Sequence, residues 1–198
     1  MQGELADELI HSDRRVDRNR DGKIQYVVLE GEPGHQDSII RTENAVDTLK
    51  NNGIELEKLS YGIANWNRAQ AQNRMMQMIG QHSNEIELVL ANNDDMALGA
   101  ADALKARGID SQSDNWPVIL GVDGTDVGLK AVEKGELLGT VLNDAKGQAQ
   151  GMLELAGSFI LKKDLSPEYT LQDGKYIRLP YQKVTAENVS EIQSRQSE

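Results

Sequence analysis

Four short runs of nearly unbroken apolar residues constrain this chain more than any other feature. They are residues 24–30 (IQYVVLE), 86–91 (IELVLA), 117–122 (PVILGV) and 138–142 (LGTVL). Each is too short for a buried helix, and each is bounded by Gly, Pro, Asn or Asp. Between them lie segments with apolar residues at helical spacing. These predict helices over 4–12, from Asp37 to about Gly53, from Asn67 to Gly80, and over 95–106, 125–134 and 145–162, with a weak last helix at 186–193. On the helix that starts at Asp37, Ile39, Ile40, Val46 and Leu49 are expected on one buried face. Asn67 is expected to cap its helix toward Gln70. Further strands are expected near 54–60 and 175–179. Continuous apolar strands alternating with helices specify an α/β fold, a parallel sheet covered by helices on both faces. In such sheets, ligands bind beyond the carboxyl ends of the strands.

The chain has 198 residues, 32 Asp plus Glu, 21 Lys plus Arg and a formal net charge of −11. That balance argues against a nucleic-acid partner and against anionic membrane surfaces. There is no cysteine, so disulfides, thiol catalysis and thiolate metal sites are excluded. No run approaches the length of a membrane span. The opening segment is acidic and amphipathic, unlike a signal peptide. The three histidines, His11, His35 and His82, fall in different elements, and no Gly-x-Ser-x-Gly elbow or phosphate-cradling glycine loop occurs.

Residues 17–25 read Asp-Arg-Asn-Arg-Asp-Gly-Lys-Ile-Gln. Asp17, Asn19 and Asp21 stand at positions 1, 3 and 5 of a calcium loop, with Gly22 at the sharp turn. Lys23 offers a carbonyl at position 7 and Gln25 an amide oxygen at position 9. The bland alternative is a polar turn rich in ordinary turn formers. Position 12 is Val28, so the loop is not an EF-hand and its bidentate carboxylate comes from elsewhere. Glu87, at the start of a neighbouring parallel strand, is the candidate. A site at that sheet end lies opposite the ligand loops and is expected to be structural.

A second constellation gathers at the strands' carboxyl ends: His35, Asp37 and Arg41, then Asn92 to Asp95, then Asp123, then Asn143 and Asp144. Trp66 sits in another loop of the same kind. Carboxylates and planar amides pair with hydroxyls, Arg donates to ring or hydroxyl oxygens, and an aromatic face covers the apolar side of a sugar. Taken singly these signals are weak. Asp94 and Asp144 are read first as helix N-caps, and a lone Trp is more often packing than a ligand platform.

Together these residues resemble the bacterial glucose/galactose-binding proteins, solute-binding components of sugar importers and chemotaxis systems. The matching stretches are Asp17 to Gln25, Gly31-Glu32-Pro33-Gly34-His35 with Asp37 and Arg41, and Trp66 with Ala69-Gln70-Ala71. They continue through Glu87 with Ala91-Asn92-Asn93-Asp94, Gly121-Val122-Asp123 and Gly139 to Asp144. The resemblance implies a type I periplasmic-binding-protein lobe, Rossmann-like, with an incomplete second lobe. It implies structural Ca²⁺ on Asp17, Asn19, Asp21, the Lys23 carbonyl, Gln25 and Glu87. It implies monosaccharide contacts from His35, Asp37, Arg41, Trp66, Asn93, Asp123 and Asn143, and no catalysis.

The same resemblance divides the chain. Residues 1–142 and 180–198 are expected to form the calcium-binding lobe, and 143–179 to be a remnant of the other lobe. On this reading the chain starts inside the second lobe. Sugar affinity is then expected to be weak, and the intact protein extracytoplasmic, serving an importer permease and a chemoreceptor. Helix 145–162, without its native sheet, is expected to self-associate or repack through residues such as Met152, Leu153, Leu155, Ala156, Phe159, Ile160 and Leu161. Two rivals use the same residues differently. One is the sensing domain of a LacI-type regulator, which needs a DNA-binding segment. The other is a small metal-dependent enzyme, which needs Asp94, Asp95 or Asp123 gathered around an open metal site.

Overall fold

The computed structural model describes residues 1–12 and 16–197. Four parallel strands form the central sheet: β1 (Ile24–Glu30), β2 (Leu56–Ile63), β3 (Leu88–Ala91) and β4 (Val118–Leu120), in the order β2-β1-β3-β4. Tyr26 to Leu29 pair with Leu88 to Ala91, so β1 and β3 run in step at the centre. Strand β5 (Thr140–Leu142) extends the sheet through isolated parallel bridges, Leu120 to Gly139 and Asp123 to Leu142.

Alternation along each strand builds two cores. Tyr26, Val28, Leu88, Leu90, Val118 and Leu120 face α1 (Gln2–Ser12) and α2 (Gln36–Asn51), where Leu5, Ala6, Ala45 and Leu49 are buried. Val27, Leu29, Val89, Ala91 and Ile119 point the other way. There they meet α3 (Arg68–His82), α4 (Asp94–Ala106), α5 (Asp126–Glu133) and α7 (Val189–Ser197). A period of two that is apolar at every position is the signature of a sheet buried on both faces, and the expected α/β fold is the observed one. Among the described residues no helix is long and apolar enough to cross a membrane.

Three expectations are corrected. No strand occupies 175–179: the segment holds only an isolated bridge between Gln172 and Tyr176. Its apolar residues Ile177 and Leu179 lie against Gly151 and Gly147 of α6 (Ala145–Leu161) instead. The late strand is β6 (Gln182–Val184), which pairs antiparallel with β5. On α2, Ile39 and Ile40 are exposed, because the buried face is set by Ser38, Ala45 and Leu49, seven and four residues apart. Helix α3 runs through Gly80 to His82, since no left-handed residue stops it at the glycine.

Candidate functional site

Five of the seven candidate sugar contacts lie in one connected group beyond the strands' carboxyl ends. The Arg41 guanidinium donates to the Asn92 carbonyl (2.7 Å) and to Asp123 Oδ1 (3.1 Å). It also stands 5.7 Å from the centroid of the Trp66 ring, within cation–π reach. His35 meets the same indole edge-on, with ring centroids 5.2 Å apart and planes at 76°. Asn93 Nδ2 donates to the Trp66 carbonyl (3.4 Å). Asn143 joins through its backbone, its N–H donating to the Asp123 carbonyl (3.0 Å), while its side-chain oxygen accepts from Gln148 of α6 (2.6 Å). Asp37 is exposed in the first turn of α2, its N–H donating to His35 Nδ1 (3.2 Å), which makes His35 the N-cap.

Backbone geometry holds this group in place. Trp66 (φ 61°) follows Asn65 (φ 50°), two left-handed residues in succession, and Asp123 sits at φ 117°. Such conformations cost energy in a non-glycine residue and persist only where the surroundings impose them. Around Asp123 the imposition is visible: its N–H donates to Val141 and its carbonyl accepts from Asn143. Around Trp66 it comes from the turn closed by the Asn67 N–H on the Ala64 carbonyl (2.9 Å), and Gly31 leaves room for the ring, since an added Cβ there would overlap the indole. Burial pushes the Asp123 carboxyl above its ordinary value, while neighbouring Arg41 pulls it back.

Buried Asn92, which sequence reasoning named only as part of a run, organises the opposite wall. Its Oδ1 accepts from Gly31 N–H (3.1 Å) and Ser38 Oγ (3.2 Å), and its Nδ2 donates to Thr42 (2.9 Å). The cap of α4 is Asn93, whose Oδ1 accepts from Met96 N–H (2.9 Å), so the capping role expected of Asp94 belongs to its neighbour. Asp94 turns into the protein instead. Asp144 does cap α6, accepting from Gly147 N–H (2.8 Å). Asn67 likewise accepts from Gln70 N–H (3.0 Å). Beside the group lies a cleft of about 380 Å³ shared by Asp37, Arg41, Gln2, Ile40, Val122 and Tyr181.

At the other end of the sheet, the loop before β1 wraps around Glu87. The Glu87 carboxylate accepts from the N–H groups of Arg18 and Gln25, and Glu87 N–H donates to the Gln25 carbonyl (2.9 Å). Burial raises its carboxyl above the ordinary value and these amides lower it. The Arg18 guanidinium clamps the loop to the carbonyls of Asn84 (2.8 Å) and Asp114 (3.1 Å). Asp21 Oδ2 faces the amide nitrogens of Gln25 (2.9 Å) and Asn19 (3.1 Å), and Gln25 also reaches Glu57 (3.3 Å), an acid the spacing argument did not include. Asp17 Oδ1 is buried without a partner among the described residues. Among the described residues no three His, Asp or Glu are gathered as a metal cluster. The loop's donors are instead mixed carboxylates, amides and a carbonyl. An orphaned buried carboxylate oxygen beside an oxygen-rich loop suits a hard cation.

Residues 1–164 match the model of the periplasmic binding protein domain. The chain belongs to that family. This periplasmic binding protein domain is 36% identical over 195 residues to the D-galactose/methyl-galactoside binding periplasmic protein of Haemophilus influenzae, covering 97% of the chain and 57% of that relative. It is 36% identical over 185 residues to a putative rhizopine-binding protein of Rhizobium meliloti, covering 92% of the chain and 55% of that protein. Among solved structures, an ABC transporter solute binding protein from Bacillus halodurans with bound myo-inositol superposes with a TM-score of 0.74 at 31% identity, over 90% of this chain and 57% of that one. The domain thus spans little more than half the length of these relatives. They carry the names of solute-binding proteins, and their named ligands differ.

Proposed function

We propose that this chain is the calcium-binding lobe of a monosaccharide-binding protein serving an ABC importer, working outside the cytoplasm and without catalysis. The observation that carries the reading is the group joining His35, Trp66, Arg41, Asp123 and Asn93 at the strands' carboxyl ends. It offers an indole, a guanidinium, a carboxylate and an amide within one surface, the chemistry that the apolar and hydroxyl groups of a sugar require. Asp37 and Asn143 complete the proposed contacts. Asp94, one of the three acids open to the enzymatic alternative beside Asp95 and Asp123, has both carboxylate oxygens engaged by threonines. D-Galactose and D-glucose are the proposed ligands, supported by the Haemophilus relative's name and by the matching residues. The permease and a chemoreceptor are the proposed partners of the whole receptor.

In this reading residues 1–142 and 180–198 form the lobe, and 143–179 belong to a second one. Sugar then bridges two lobes and stabilises their closed arrangement. One lobe supplies part of the hydrogen bonds and excludes little water, so its affinity is weak. Titration calorimetry with D-galactose and D-glucose at millimolar concentration tests this. Saturable heat that is lost in Asp123→Ala supports the site. No heat with either sugar, with heat from an unrelated solute such as myo-inositol, overturns the proposed specificity.

Asp17, Asn19, Asp21, the Lys23 carbonyl, Gln25 and Glu87 would hold Ca²⁺. The ion would offset two of the three negative charges of Asp17, Asp21 and Glu87 and fix the loop against the sheet. Calcium is expected to raise the melting temperature and EDTA to lower it, with the response abolished in Glu87→Gln. A melting curve indifferent to both reagents would sink the assignment.

A further inference from the structure

Asp94 has no solvent exposure (0%) and no place among the proposed sugar contacts. Its Oδ1 accepts from the Thr140 hydroxyl (2.5 Å), and its Oδ2 from the backbone N–H (2.7 Å) and hydroxyl (3.0 Å) of Thr125. Its own N–H donates to the Val122 carbonyl (2.8 Å). One residue at the end of β3 is thereby bonded to the end of β4, to the loop leading into α5, and to β5. The space it occupies is kept free by two glycines. A Cβ at Gly121 or at Gly128 would overlap the Asp94 carboxylate. Paired glycines on either side of a carboxylate that makes three hydrogen bonds are a built arrangement rather than leftover burial.

The three segments it joins are those that carry Asn93, Asp123 and Asn143. Asn93 precedes Asp94 directly. Asp123 lies between the Val122 carbonyl and Thr125, both bonded to Asp94. Asn143 follows Thr140 by three residues. Asp123 is also the residue at φ 117°, a conformation that needs external support.

We propose that Asp94 is a positioning residue, a clasp that fixes the spacing of the β3, β4 and β5 ends and so holds Asp123 and Asn143 in register with Asn93. Its use for sugar rests on the functional reading above; the clasp itself does not.

The clasp is sensitive to protonation. Burial pushes the Asp94 carboxyl up to about 6, above its ordinary 3.8, against the lowering effect of the Thr140 and Thr125 hydrogen bonds. The charged group facing it is Asp123 of the β4–α5 loop, which also disfavours a second charge. Asp123 in turn is paired with Arg41 of α2 and faces Asp37 of α2 and Asp95 of α4. From β5 the facing group is the Thr140 hydroxyl, which does not titrate. As pH falls through this midpoint, Asp94 gains a proton that it must donate, and its bond with Thr140 reverses direction. The register of the three ends is expected to change with it.

Amide nitrogen–proton spectra of the full chain between pH 5 and 7.5 test the proposal. Amides of Asp123, Thr125 and residues 140–143 are expected to move together with one midpoint near 6. In Asp94→Asn that shared movement disappears. Thr140→Val removes a hydrogen bond that favours the charged carboxylate, so the midpoint rises. Because Thr140→Val keeps the side chain's shape, it decides the matter even where Asp94→Asn does not fold. A shared midpoint unchanged in either variant, or no shared movement in the wild-type chain, overturns the clasp. Calorimetry at pH 7.5 adds the second arm: D-galactose is expected to bind about ten-fold more weakly to Asp94→Asn, the scale of one lost charged hydrogen bond. Absence of sugar binding in the wild-type chain would overturn the sugar reading alone, with the amide titration still deciding the clasp.

Discussion

Trp66 stands where it does because Gly31 has no side chain. The indole lies over the end of β1 so closely that one methyl group at residue 31 would overlap it. The ring then serves as the common surface against which His35 and Arg41 are set. Gly31→Ala is expected to expel the ring and destabilise the chain by about 1–3 kcal/mol, the scale of an overpacked site. In a Trp116→Phe background, which leaves Trp66 as the single indole, its fluorescence should shift to longer wavelength. A variant with unchanged emission and melting temperature would contradict this contact. The spacing of Asp17, Asn19, Asp21 and Gly22 is visible in the sequence because one loop contains it. The demand on Gly31 is invisible there, since the residue that imposes it lies 35 positions on. The exchange of roles between Asn93 and Asp94 was equally hidden. Either side chain can cap a helix, and only the position of Thr140, far along the chain, decides which turns inward.

At the scale of elements, periodicity located nearly every strand and helix, because each apolar stretch must meet the sheet. It failed where the partner was not a regular sheet. Residues 175–179 have the composition of a strand but no neighbouring strand, and they lie on α6 instead. Helix α6 is the counterpart of that failure. Leu153 is 75% exposed, and Phe159 and Ile160 are each 78% exposed, along a helix in which Gly151 is the buried residue. An apolar surface of this kind usually finds a partner, and a second copy of the chain is the partner at hand. Light scattering behind a sizing column is expected to show mass rising with protein concentration. Leu153→Gln with Phe159→Gln should return the chain to a monomer. A wild-type chain that remains monomeric at hundreds of micromolar would refute this association.

Across the whole molecule, one sheet separates two polar groups. The loop held by Glu87 closes the strands' amino ends, and the Trp66–Arg41–Asp123 group opens at their carboxyl ends. That polarity follows from parallel strands and was readable as soon as the alternation of elements was. The late return of the chain was implied by the family resemblance alone, because β6 is short and its pairing is antiparallel. Yet Val184, Val189 and Ile192 are buried in the core beneath α5, and Lys183 reaches back to Glu4 and Glu8 of α1. This connectivity has a temporal meaning. Along the chain β6 and α7 follow all the other elements, so in synthesis residues 16–142 emerge before them with one flank of their core uncovered. That flank is closed only when β6 and α7 have followed. Long-range pairing of that sort is slow, and it exposes apolar surface while it is pending. A newborn chain of this design therefore passes through an open stage that a molecular chaperone could hold until β6 and α7 reach the core.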